Sequence, residues 1–244
     1  SDVEQIGQLM QNSHVRKIID IFGIRETVLF PIRVALHTVA DNGPVRCVIY
    51  IQDITNEVNE RTLLKQEKEK CQIILRTILP ESIVTRLQNN PGEIIADDVT
   101  ELTILFMDIV SFTNFASVTD PTTLVVMLNA LFSKFDESAL EFGVEKIKTI
   151  GDCYMAATGV PEWRPDHADI MLKFSVAMVD SLRVSNDEYD LTLETRIGIH
   201  TGPAIAGVIG KKKLSYDIWG ETVGIASIME STGQPNRIHV SRAT

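Results

Sequence analysis

From Asp97 onward the apolar residues of this chain change period repeatedly, from two to 3.6 and back, and the order of those changes leaves few folds open. LTILFMD (102–108) reads as a strand. Asp120 as N-cap and Pro121 at the first helical position open a helix over 121–142, with Leu124, Leu128, Leu131 and Phe135 on one face. VEKIKTI and CYMAATG then form a hairpin that turns at Gly151-Asp152. A second helix runs from Asp166 to about Leu182. It is followed by strand ETRIGIH, a Gly-rich loop and strand in TGPAIAGVIG, strand LSYDIWG, a helix over 222–231 and strand RIHVS. The order β-α-β-β-α-β predicts an α+β fold of the ferredoxin-like sandwich type. No internal repeat or low-complexity tract is present.

The residues ahead of this zone follow different patterns. PIRVALHTV (31–39) and VRCVIYIQDI (45–54) have strand composition, and Ala40-Asp41-Asn42-Gly43 between them suits a hairpin turn. Two antiparallel strands are expected, in a unit over 1–55. NEVNERTLLKQEKEKCQIILRTIL (56–79) has neither Gly nor Pro and predicts a helix. Leu64, Cys71 and Ile78, with Leu75 beside them, give it a short apolar seam, but Arg61 and Lys68 occupy the other core position, so any coiled coil is weak. Pro80 interrupts, and ESIVTRL restarts a helix, placing a linker over 56–96 and the main domain over 97–244.

The formal charge of −10 opposes nucleic-acid backbones and free nucleotides alike, so a phosphate ligand needs metal cations or a local basic pocket. Cys47, Cys71 and Cys153 have no CxxC spacing and an odd count, which fits a reducing compartment and implies no zinc site. Apolar runs are broken by charge before they reach membrane-spanning length, and no signal-peptide profile opens the chain. A cytoplasmic location without membrane contact is expected for this segment, an anchor elsewhere in a parent protein being left open. Asp108 and Asp152 each close an apolar strand pattern. Carboxylates so placed can hold metal ions against a nucleoside triphosphate, although either one alone reads rather as a turn or cap residue.

FMDIVSFT, EKIKTIGDCYMAATG, RIGIHTGPAIAGVIG and YDIWGETVGIASIMESTGQPNRIHVS resemble, in that order and spacing, the class III nucleotidyl (adenylate) cyclase catalytic domain. The resemblance covers roughly residues 97–244 and implies a function: conversion of ATP to 3′,5′-cyclic AMP and pyrophosphate by two-metal in-line displacement at a dimer interface. It implies Asp108, Asp152 and the main-chain carbonyl of Ile109 as ligands of two Mg²⁺ or Mn²⁺ ions. Main-chain N–H groups of the turn through Ser111, Phe112 and Thr113 are implied for phosphate. Arg237 aligns with a polyphosphate-binding arginine, although a strand-surface charge explains it equally. Lys148 and Asp217 are implied as the base readers. Adenine offers an acceptor at N1 and a donor at N6, which match a lysine and an aspartate, whereas guanine reverses both. Lys211, Lys212 and Lys213 read as a solvated loop. Strand directions make it hard for Lys148 and Asp152 to serve one nucleotide, and the resemblance implies a site shared between two catalytic domains, metals from one and base recognition from the other, so a head-to-tail homodimer is expected.

Residues 31–55, ending in Asp53-Ile54-Thr55, resemble the closing half of a PAS sensor domain, whose first half is not found here; regulation by such a domain is expected. His14 and His37 would be the candidates for haem in a sensor, but lone histidines read as surface or core fillers, and the sensor ligand is left unnamed. ILRTILPESIVTRL (74–87) resembles the transducing element that precedes many cyclase domains, with a plain interdomain helix as the alternative. The family's closing strands, which carry a phosphate-binding lysine, are expected beyond Thr244, so the catalytic domain reads as C-terminally truncated.

The chain departs from the family at two positions. Active members carry an asparagine and, four residues on, an arginine in the helix after YDIWGETV, where this chain has Gly224 and Ile228. These are the catalytic, transition-state positions, and their substitution implies reduced turnover. Alternatives are a catalytically silent, dimerising signal-relay domain, or the metal-donating half of a heterodimer whose partner supplies the missing Asn and Arg. A two-metal palm enzyme such as a diguanylate cyclase is disfavoured because no GGDEF-like turn is present.

Overall fold

In the computed structural model, residues 17–25, 28–39, 46–211 and 213–244 are described. The turn expected at 40–43, His14 and Lys212 lie outside them. The chain divides into two compact units, Ser1–Ile74 and Leu75–Thr244.

In the first unit, β1 (Lys17–Arg25), β2 (Val28–Val39) and β3 (Arg46–Asp53) form an antiparallel sheet in that order. The two predicted strands are present, and β1 is a third that the sequence reading missed. Asp53 turns the chain from strand into helix: its carboxylate accepts the main-chain N–H of Thr55 at 2.9 Å and the Thr55 hydroxyl at 2.6 Å, while Ile54 is buried. Helix α1 (Thr55–Arg76) follows. None of its residues is buried, and Leu63, Leu64, Ile73 and Ile74 are exposed.

The second unit opens with α2 (Glu81–Asn89) and continues through β4 (Ala96–Ile109), α3 (Phe112–Val118), α4 (Pro121–Phe142), β5 (Glu145–Ile150), β6 (Cys153–Thr158), α5 (His167–Tyr189), β7 (Thr195–Ile209), β8 (Ser215–Trp219), α6 (Glu221–Ser231) and β9 (Arg237–Val240). The strand order is β5-β6-β4-β7-β8, with β9 parallel to the start of β7. Within it, β4-α4-β5-β6-α5-β7 is the ferredoxin-like arrangement that the sequence predicts. Asp120 caps α4 as expected, its carboxylate accepting the Thr123 N–H at 3.0 Å.

Two apolar layers flank the sheet. Leu105, Met107 and Ile109 of β4 and Ile197 and Ile199 of β7 pack under Leu131 and Phe135 of α4 and Phe174 and Met178 of α5. The alternate residues Ile104 and Phe106 face the other way, with Met155, Ala206, Tyr216, Ile218 and Ala226, and with Leu79 and the α2 residues Ile83 and Val84.

One expectation is corrected. TGPAIAGVI (201–209) is not loop then strand but part of the continuous fifteen-residue β7, with Gly210 just past its end. The glycines inside β7 serve close packing rather than turning: a Cβ at Gly198 would lie 2.0 Å from the Glu230 nitrogen, so α6 rests directly on the strand backbone.

Glu145, at the start of β5, lines a cavity with Ser82, Val160 and Trp163. Burial pushes its carboxyl up from an ordinary 4.5 to about 7. A raised carboxyl favours the folded state when protonated, so this contribution is complete below pH 4.5 and is lost as pH rises through about 7. Glu145→Gln should therefore gain stability over the unaltered protein between those limits, by about 2 kcal/mol after solvent screening. Urea unfolding at either end of the range tests this; a pH-independent difference contradicts it.

Candidate active site

Asp108 lies near the end of β4, where the Ile104 and Phe106 side of the strand leaves the apolar layer and becomes partly exposed. Asp152 occupies the two-residue turn between β5 and β6, reached through Gly151 at φ +65°. Because β6 pairs antiparallel with β4, with Met107 opposite Tyr154, that turn arrives beside Asp108. The two carboxylates are close enough for the charge of Asp108 to act on Asp152.

Burial, followed by the charge of Asp108, raises the Asp152 carboxyl above its ordinary range, while the N–H groups of Asp152 itself and Ile109 pull it down. Cys153, next in sequence, is pushed up to about 12 by burial and then by the charges of Asp108, Glu230 and Asp152. Among the described residues no group of three or more His, Cys, Asp or Glu side chains is placed to hold a metal. A mutually repelling pair of partly buried carboxylates fits a hard divalent ion that takes one or two carboxylates and completes its shell with water and phosphate.

After Ile109 the chain turns through Ser111, at φ +57°, into the short helix α3. Phe112 and Thr113 form its first turn, where N–H groups have no intrahelical acceptor. The Thr195 hydroxyl donates to the Asp108 carbonyl at 3.0 Å, fixing the strand end that precedes this turn.

Lys148 on β5 and Asp217 on β8 meet directly, Nζ to Oδ2 at 2.6 Å, although their strands lie at opposite ends of the sheet order. The sheet coils enough for β5 and β8 to touch. The second Asp217 oxygen accepts the Ile218 N–H at 2.9 Å, which fixes the carboxylate while leaving the lysine partly exposed.

Gly224 and Ile228 lie on the outward side of α6, opposite Thr222, Ala226 and Glu230. A Cβ at Gly224 would meet nothing within 4 Å, and Ile228 is 55% exposed. Arg237 opens β9, exposed and in register with Arg196.

Two charged residues at the site escaped the sequence reading. Arg196 stands directly opposite Asp108 across the β4–β7 pairing. Its Nη2 lies 3.3 Å from Asp108 Oδ2, and its Nε donates to Glu230 Oε1 at 2.9 Å. Glu230 had a detectable signal: it recurs at helical spacing with Thr222 and Ala226 on the buried face of α6, an unusual place for a carboxylate.

The family described as the adenylate and guanylate cyclase catalytic domain matches residues 94–244. An adenylate cyclase of Mycobacterium tuberculosis is 36% identical over 218 residues, 89% of this chain and 49% of that protein. A membrane guanylyl cyclase of Dictyostelium discoideum is 39% identical over 198 residues, 80% of this chain and 13% of that protein. The chain thus spans half or less of the length of these curated relatives. The crystal structure of the catalytic core of a rhodopsin-guanylyl cyclase with converted specificity, in complex with ATPalphaS, aligns at TM-score 0.57 and 36% identity over 61% of this chain and 80% of that one.

If Asp108 and Asp152 share one field, Asp108→Asn lowers the pH at which Asp152 titrates. Carboxyl-carbon NMR of the metal-free protein reads this directly. An unmoved Asp152 midpoint would show that the two groups do not sense each other.

Proposed function

The chain belongs to the adenylate and guanylate cyclase catalytic domain family, and we propose that it binds ATP with two divalent ions for conversion to 3′,5′-cyclic AMP and pyrophosphate, with weak turnover. The observation that carries the base choice is the Lys148–Asp217 pair at 2.6 Å. The ammonium donates to N1 of adenine and the carboxylate accepts from N6. Guanine would leave both partly buried groups mismatched, the situation in which large discrimination arises.

Asp108, Asp152 and the Ile109 carbonyl would hold Mg²⁺ or Mn²⁺. When bound, the ions activate the ribose 3′-hydroxyl and neutralise the leaving pyrophosphate. The N–H groups around Ser111, Phe112 and Thr113 orient phosphate oxygens, and Arg237 reaches the polyphosphate. Glycine and isoleucine at 224 and 228 provide no donor for the ribose or the transferring phosphoryl group. In other enzymes one oxyanion donor contributes about 10²–10³ in rate, and an arginine finger roughly 10³–10⁵.

A second reading has support in the same place. Positions 224 and 228 face outward from α6, so a partner domain bearing Asn and Arg at these positions would complete a mixed site with this chain's carboxylates. A homodimer cannot supply them. Exposed Ile205 and Trp219, adjacent across β7 and β8, favour pairing of either kind. A PAS-type sensor in the first unit, acting through α1 and its apolar seam, would regulate the assembly. Among the described residues no helix is long and apolar enough to cross a membrane.

Gly224→Asn with Ile228→Arg introduces side chains where the surface is open, so folding should be preserved. Cyclic AMP formation with Mn²⁺ should rise at least about 10²-fold; no rise would sink the assignment of these positions. In that background, Lys148→Glu with Asp217→Cys should shift the ATP:GTP preference by roughly 10²-fold or more toward GTP. An unchanged ratio would remove the base-reading role.

A further inference from the structure

We propose that Arg196 is a resident counter-cation of the candidate metal site: it holds Asp108 when no metal is present, yields it to an entering divalent ion, and so makes metal binding depend on nucleotide. This rests on reading Asp108 and Asp152 as the metal carboxylates.

The β4–β7 register fixes Arg196 opposite Asp108, and α6 lies on the same face of the sheet, with its Glu230 backbone against Gly198. The guanidinium is shared unequally. Its contact with Glu230 is the shorter, 2.9 Å against 3.3 Å, and the Glu230 side chain is only 10% exposed, against 25% for Asp108. Arg196 is therefore anchored on α6 and lends its second edge to Asp108. Asp108, Asp152 and Glu230 carry three carboxylates against this one guanidinium, and partial burial makes every charge in the group count for more than it would in water. A divalent ion that takes Asp108 Oδ2 competes with the Arg196 contact and then lies close to a positive charge anchored on Glu230. Polyphosphate oxygens supply the negative charge that offsets this repulsion. Arg196 thus weakens metal binding to the empty site more than to the nucleotide-loaded one.

Mn²⁺ binding, read from the electron paramagnetic resonance signal of free Mn²⁺ with and without a non-cyclising ATP analogue, tests this. Arg196→Gln should bind Mn²⁺ at least about fivefold more tightly than the unaltered protein without nucleotide, and within about twofold of it with the analogue. Arg196→Lys, which keeps the charge, should stay close to the unaltered protein in both states. Should Arg196→Gln fail to fold because Glu230 loses its partner, Arg196→Gln with Glu230→Gln replaces the buried ion pair by two amides. It removes one positive and one negative charge, so any tightening reports release of Asp108 rather than net charge. Equal or weaker Mn²⁺ binding in a folded Arg196→Gln or double variant overturns the counter-cation role. The metal reading fails separately, and the proposal with it, if the unaltered protein shows no Mn²⁺ binding that Asp108→Asn removes, with or without the analogue.

Discussion

The long antiparallel pairing of β4 with β7 is the constraint on which the rest of the catalytic unit depends. It runs from Ala96 opposite Gly207 to Ile109 opposite Thr195, with a register shift between Val99 and Leu102. Alternation along the two strands sends Leu105, Met107, Ile197 and Ile199 under α4 and α5, and leaves Asp108 and Arg196 on the side occupied by α6. A one-residue slip would bury Asp108 among the aromatic and aliphatic side chains of the helical layer and carry the opposed arginine away with it. The apolar layers hold the register, and the register positions the charges.

From that frame the candidate site separates into parts that different elements carry. The carboxylates come from a strand end and a hairpin turn, and the Lys148–Asp217 pair from the two edges of a coiled sheet. Positions 224 and 228 come from α6, whose Glu230 is linked to Asp108 through Arg196. A chain can therefore keep the groups proposed to bind metal and base while lacking those proposed to act in the transition state. Nothing in the packing of α6 requires asparagine or arginine at its outward face, so their loss leaves the fold intact.

Much of the fold was legible because local and global signals agree. Helix α4 begins where Asp120 and Pro121 place its start and ends at Phe142, the bounds read from sequence, and the β5–β6 hairpin turns at the two residues read as a turn. The errors arose where a residue type serves a purpose other than its usual one. Gly202-Pro203 reads as a loop, yet it lies within β7, whose glycines admit α6 and its threonine. Strand β1 carries Asp20 and Gly23 inside an apolar run, which hides the alternation. Asp108 and Asp152 could be nominated from sequence, but their convergence depends on the β4–β6 register. Arg196 and Glu230 are 34 positions apart, and an ion pair at that separation has no periodic signature.

The central claim is a site competent to bind ATP and poorly equipped to transform it. It is tested most directly by measuring, on the unaltered protein with Mn²⁺, the ATP dissociation constant and the rate of cyclic AMP release in one sample. The account predicts saturable, metal-dependent ATP binding with product release close to background. Steady turnover in the ordinary enzyme range of about 1–10³ s⁻¹, or no metal-dependent ATP binding at all, would contradict it.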